Sequence, residues 1–133
     1  MHIQPLLSSI NFGLEVLYVI IYNLAVMDIR RAEPYVKWFK KLKDKRAKAR
    51  IYVRIERLAE GNPGDWKPIG NGLSELIIDY GPGYRVYYKA PTGFQDTNKR
   101  IVILLYGGDK STQQPDIEKA KEIANNYVLE EKE

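Results

Sequence analysis

The run Tyr84-Arg85-Val86-Tyr87-Tyr88-Lys89 sets two cations and an aromatic ring at alternate positions. Alternate side chains of a β-strand share a face, so Arg85, Tyr87 and Lys89 stand together while Tyr84, Val86 and Tyr88 take the other side. A row of that kind can hold a phosphate through its cations and stack a base on its ring. The same charges would equally keep an edge strand soluble. A second group is Gly107-Gly108-Asp109-Lys110-Ser111-Thr112-Gln113. Two glycines permit close approach to the backbone, and Lys110 with the three side chains after it supplies donors. The spacing is not that of a P-loop, and a glycine turn followed by helix-capping residues explains it too. Lys67 is a third candidate, leaving the loop Gly61-Asn62-Pro63-Gly64-Asp65 beside Trp66, which reads as a packing residue before a base-stacking one.

Other chemistries are excluded by what the chain lacks. It has no cysteine, and its one histidine is His2. Thiol nucleophiles, disulfides and zinc ribbons are therefore ruled out, and a conventional transition-metal site is not expected. No tight Asp/Glu cluster suggests a magnesium site. Neither a metal nor a cofactor is expected, and the missing cysteines suit a reducing compartment, here the cytoplasm.

The elements that must position these residues follow from hydrophobic period. Met27–Arg31 reads as a short edge strand. Pro34 suits the first turn of a helix on which Tyr35, Trp38, Phe39 and Leu42 recur at helical spacing. Asp44 is an N-cap for a second helix with the stripe Ala47, Ile51, Ile55, Leu58 and Ala59. Gly61 closes that helix, and the two should form an antiparallel hairpin. Strands are then expected at Trp66–Ile69, Leu73–Asp79, Tyr84–Lys89 and Arg100–Tyr106, the last being the central, most buried strand and broken by Gly107-Gly108. A turn containing Pro91, Gly93, Asp96 and Asn98 precedes it. Asp116 should cap a final helix carrying Ile117, Ala120, Ile123, Ala124, Tyr127 and Val128. The fold class is α+β: a small antiparallel sheet with an N-terminal helix hairpin and a C-terminal helix. With 133 residues, this is one domain.

The net charge of +4 is unevenly spread. Residues 30–60 hold 12 Lys/Arg against 4 Asp/Glu, whereas 109–133 hold 4 against 7. Cations gathered in one segment suit a polyanion or an acidic protein, or simply form a solvated helix face. Lys48, Arg50, Arg54 and Arg57, on the polar side of the second helix, are the candidates for RNA contact. Residues 1–26 differ: they carry no Lys or Arg and one acid, Glu15, in a mostly apolar run. The run is short of the ~20 apolar residues a membrane span needs, and no signal-peptide pattern is present. We read it as an extension upstream of a natural start at Met27, or as an extra element laid onto a domain at 27–133, rather than as an anchor.

Together WFKKLKD, ARIYVRIERLAEGNPGDWKPIGNGLSELIIDYGPGYRVYY and LLYGGDKSTQQPDIEKAKEIA resemble the HigB-like addiction-module killer proteins of the RelE/ParE superfamily of type II toxins. The resemblance covers about residues 28–127. It implies the fold just described, with cleavage of messenger RNA in the ribosomal decoding site as the activity. It also implies a cognate antitoxin, usually a helix-turn-helix protein encoded alongside, with operator DNA reached only through that antitoxin. Ribosome and mRNA are then the targets, and no membrane is involved.

Such cleavage needs no metal. A ribose 2′-hydroxyl attacks the adjacent phosphate, a base takes its proton, cations meet the extra charge of the phosphorane, and an acid protonates the leaving 5′-oxygen. By resemblance, Arg85 in GYRVYY matches the family's phosphate-binding arginine. Lys110 falls where relatives place a second basic residue, and Lys67 is a weaker match to a basic residue before the arginine strand. Relatives often carry a Tyr or His near the C-terminus, where this chain has Gln114-Pro115-Asp116-Ile117. Tyr87 or Tyr106 would have to substitute. Arg85→Ala is expected to abolish toxicity in a folded protein. The alternatives are a ParE-like inhibitor of DNA gyrase, which needs no catalytic residue, and an inactive relic that only binds an antitoxin.

Overall fold

A computed structural model describes residues 9–90 and 100–127. Five strands, β1 (Asp28–Arg31), β2 (Trp66–Gly70), β3 (Leu73–Ile78), β4 (Tyr84–Lys89) and β5 (Ile101–Asp109), form one sheet in the order β1-β5-β4-β3-β2. The four strands β2 to β5 are antiparallel neighbours, while β1 runs parallel to β5, so the sheet is mixed rather than wholly antiparallel. The helices α2 (Glu33–Lys41) and α3 (Lys45–Ala59) provide the long crossover that a parallel pair requires. The α+β class and the element order are those read from the sequence.

Local chemistry sets the helix ends. Pro34 occupies the first turn of α2. The Asp44 carboxylate accepts from the Arg46 and Ala47 amides, satisfying two of the donors a helix start leaves free. Gly61 takes a positive φ of 86° as α3 ends, a conformation that only glycine adopts without a Cβ penalty. The predicted stripe of α3, Ala47, Ile51, Ile55, Leu58 and Ala59, is buried throughout. It packs with Tyr35 of α2 and with Leu76, Ile78, Val86, Tyr88, Val102 and Leu104 of the sheet. Both helices thus lie on one face of the sheet, α2 chiefly on β5 and α3 on β3.

The other face is covered by α4 (Gln113–Asn126), with Ile117 and Ala120 set against Tyr87. Asp116 lies within its first turn, and Thr112 holds the N-cap position. Asp109, expected only as part of a loop, caps the intervening 3₁₀ turn Lys110–Thr112 by accepting from the Ser111 amide.

Two strand expectations are corrected. Gly107 and Gly108 do not break β5, which runs on to Asp109. They are glycines because a Cβ on Gly107 would overlap the Trp38 ring, and one on Gly108 would overlap the Asp116 carboxylate. The tertiary neighbours on the two faces, not a turn, exclude side chains there. The strand at the centre of the sheet is β4 and not, as expected, β5, so the charges of β4 do not serve an edge. The expected turn at Pro91, Gly93, Asp96 and Asn98, and Val128 of the last stripe, lie outside the described residues.

The N-terminal run forms α1 (Ser9–Ala25). It is not laid down as a packed layer: Phe12, Leu14, Leu17, Val19 and Ile21 are each more than half exposed. Its Tyr22 hydroxyl donates to Glu60 at 2.7 Å, at the end of α3. Among the described residues no helix is long and apolar enough to cross a membrane.

Candidate functional site

Strand alternation in β4 is as the sequence implies, Arg85 and Tyr87 facing α4 while Val86 and Tyr88 face α2 and α3. Arg85 is buried, and so is Glu75 of the neighbouring strand, at 3% exposure. The Arg85 Nε lies 3.6 Å from Glu75 Oε1, an ionic contact beyond hydrogen-bonding reach. Its Nη1 donates to the carbonyls of Gly83 (2.8 Å) and Tyr84 (3.2 Å). Gln113, the first residue of α4, donates its side-chain amide to both Glu75 oxygens at 2.8 and 3.0 Å. The carboxylate is therefore anchored by the helix and the guanidinium by the β3–β4 turn.

Lys110 reaches the same turn from the other direction. Its amide donates to Gly83 O at 2.9 Å, and its Cβ and Arg85 Nη1 both border the open Cα of Gly83. Arg85 and Lys110, 25 positions apart in sequence, so meet at one glycine, with Lys110 exposed. Gly83, at φ 81°, closes the Tyr80–Gly83 turn in a conformation that keeps this corner free of side chain.

Of the remaining candidates, Lys67, Tyr87 and Tyr106 stand in one register row with Glu75, and Lys89 stands apart. Tyr87 is fully buried under α4, and its hydroxyl has no hydrogen-bond partner among the described residues. Burial, with Glu75 nearby, drives its pKa far above the ordinary tyrosine value, so it stays protonated. Tyr106, opposite Tyr87 in the register, is partly buried in the same cluster. Lys67 is exposed and pairs in register with Glu75, one strand beyond the site. Lys89 is exposed at the other end of β4, about 13 Å along the strand from Arg85 at the usual rise per residue.

The α3 cations divide by use. Arg54 donates to Ile77 O (2.6 Å), Pro63 O (2.9 Å) and Asp65 O (2.9 Å), binding the helix to the loop before β2. Burial lowers its pKa, against the opposing pull of Asp65, without threatening its charge. Lys48 lies over the Phe39 ring at 5.3 Å. Arg50 lies over Tyr80, its guanidinium carbon 4.5 Å from the ring centroid. Arg46, Arg50, Arg54 and Arg57 line a cleft of about 680 Å³ with Ala49, Val53, Ile78 and Asp79. Sequence reasoning passed over Glu75, Arg46 and Asp79, and took Gln113 for a donor in the glycine segment rather than the partner of Glu75. The lone acid in Leu73-Ser74-Glu75-Leu76-Ile77-Ile78 was the available signal for a buried partner to Arg85.

The fold and these two cationic sites define a small basic α+β protein with one arginine fixed in its sheet and others displayed on a helix. No protein-family model matches the chain. A protein of Haemophilus influenzae, described only as an uncharacterized protein, is 49% identical over 103 residues, which is 77% of this chain and 98% of the relative. The chain belongs to the family of that protein.

Proposed function

We propose that this protein is the toxin of a type II toxin–antitoxin module, a metal-independent endoribonuclease that cuts mRNA on the ribosome in the cytoplasm. A cognate helix-turn-helix antitoxin from the adjacent gene would hold it in check. The observation that carries the reading is the meeting of Arg85 and Lys110 at Gly83. A preorganised guanidinium with an exposed lysine starting from the same turn is suited to a phosphorane with an added negative charge. The resemblance of GYRVYY and GGDKSTQ to the killer proteins supports it further.

Arg85→Ala is a poor test, because it would leave the Glu75 carboxylate buried beside only an amide. Lys110→Ala is the clean one, since the side chain is exposed. Expressed without antitoxin, the unsubstituted chain should arrest growth and leave codon-positioned 5′ ends in mRNA, and Lys110→Ala should weaken both at an unchanged melting temperature. Full arrest by Lys110→Ala would remove that residue from the site.

The burial of Tyr87 favours a second reading, a ParE-like inhibitor that poisons DNA gyrase by contact. It removes the best placed proton carrier, which gyrase inhibition does not need. Intact mRNA together with inhibited supercoiling would select this alternative.

A further inference from the structure

The cleft on α3 has a composition that a phosphate clamp does not need. Arg46, Arg50, Arg54 and Arg57 recur at four, four and three residues along one helix face, spanning about 16 Å at the helical rise. Between them the floor is apolar, made by Ala49, Val53 and Ile78, and an acid, Asp79, stands in the wall. A phosphate gains nothing from the floor and is repelled by Asp79. A flat nucleobase is suited to both, having an apolar face and, in adenine, cytosine and guanine, amino hydrogens that a carboxylate accepts. Arg50 adds a stacking plane. Its guanidinium carbon lies 4.5 Å from the Tyr80 ring centroid, so that ring holds the group beside the cleft while the side chain stays exposed. Arginine planes stack on bases as aromatic rings do. Arg54 is committed to three carbonyls, so it shapes the cleft, while Arg46 and Arg57 are the exposed cations beside it.

We propose that this cleft is a nucleobase-binding site for single-stranded RNA, in which Arg50 stacks on an amino-bearing base, Asp79 accepts from its amino group, and Arg46 and Arg57 contact the flanking phosphates. The inference deepens the mRNA-directed reading by assigning base preference to α3, apart from Arg85 and Lys110.

The test is fluorescence anisotropy of the full chain with end-labelled octaadenylate, octauridylate and an abasic ribose-phosphate octamer, over a salt series. Octaadenylate should bind most tightly. Arg50→Lys keeps the charge and loses the plane, so it should weaken octaadenylate about tenfold, the loss expected when one base loses its stacking partner. Abasic binding and the salt slope should stay as they were. Arg57→Ala should instead weaken all three alike and flatten the slope by about 0.7, one phosphate contact on a single strand. Asp79→Ala should erase the preference for adenine over uracil. The proposal is overturned if the chain binds the three octamers equally or not at all, or if Arg50→Lys acts on all three alike. Displacement of octaadenylate by octaglutamate, with no base dependence, would overturn it in favour of an acidic protein segment. Base-blind binding by a chain that still cuts mRNA sinks the cleft alone, whereas base-selective binding without cutting sinks the nuclease and keeps the cleft.

Discussion

At the end of β4, Arg85 is enclosed by Glu75, two backbone carbonyls and the start of α4, whereas on α3 Arg46, Arg50 and Arg57 stand at the surface. The two regions use one side chain under opposite conditions. Inside, the guanidinium must be matched by an anion and by acceptors, because an unmatched buried charge is strongly destabilising. Outside, water solvates it and the protein has only to orient it, as Tyr80 does for Arg50. Rigidity and availability therefore trade against each other. Arg85 is held by an anion and two carbonyls yet has little free surface, while Arg46, Arg50 and Arg57 are exposed and available. Lys110 joins the two conditions, an exposed lysine whose amide and Cβ meet the Arg85 guanidinium at the Gly83 turn.

The largest way to break this contrast is to remove the anion. Glu75→Ala leaves the Arg85 charge and the Gln113 amide without their partner inside the sheet, and should lower the unfolding free energy by about 3–5 kcal/mol. Replacing both members, with Glu75→Leu and Arg85→Met, should recover most of that loss, because the penalty belongs to the orphaned charge and not to the missing attraction. Urea denaturation of the single and double variants measures the difference. A double variant no more stable than Glu75→Ala would mean that the pair itself holds β3 to β4.

A smaller effect sharpens the division within α3. Arg54→Ala removes three charge-assisted hydrogen bonds to Ile77, Pro63 and Asp65, at a site open enough for water to replace some of them. A loss of about 2 kcal/mol is expected. Arg57→Ala, which removes only an exposed stem and a solvated charge, should stay within about 0.5 kcal/mol of the parent. Equal losses would place both arginines in the same structural role.

What the sequence disclosed follows the same line between local and tertiary causes. The bounds of β4, the alternation of its faces, the Asp44 cap and the buried stripe of α3 were all legible, because each depends on neighbours within a few residues. The parallel pairing of β1 was not, since strand direction is set by where a long crossover returns. Gly107 and Gly108 looked like a strand breaker; glycine in a strand and glycine in a turn read alike until Trp38 and Asp116 are seen against them. Arg50 and Arg54 share a type and a helix face, and only the carbonyls of the loop before β2 tell the structural one from the available one. Tyr87 was a candidate by its face, correctly assigned, and is withdrawn from solvent by a helix that begins 26 residues later.

Tyr87 also gives the finest test of the buried side. Its hydroxyl is inside the protein without a partner among the described residues, so Tyr87→Phe removes an unsatisfied polar atom and leaves the ring packing against Ile117 and Ala120. Stability at neutral pH should rise by about 1 kcal/mol, the lower end of what such a group costs. The pH dependence checks the cause. Because burial raises the Tyr87 pKa in the folded state, the native protein keeps this proton while the unfolded chain releases it above about pH 10. Tyr87 therefore holds its contribution below pH 10 and loses it as the pH rises further. Tyr35, whose pKa burial raises to about 12, behaves in the same way and remains in the variant. Tyr87→Phe should thus lose stability less steeply than the parent in alkali, with the gap between them widening from pH 10 upward. A gap that stayed constant would mean that the hydroxyl is solvated in the native state, and that α4 admits water, and with it a substrate, to the Arg85 side of the sheet.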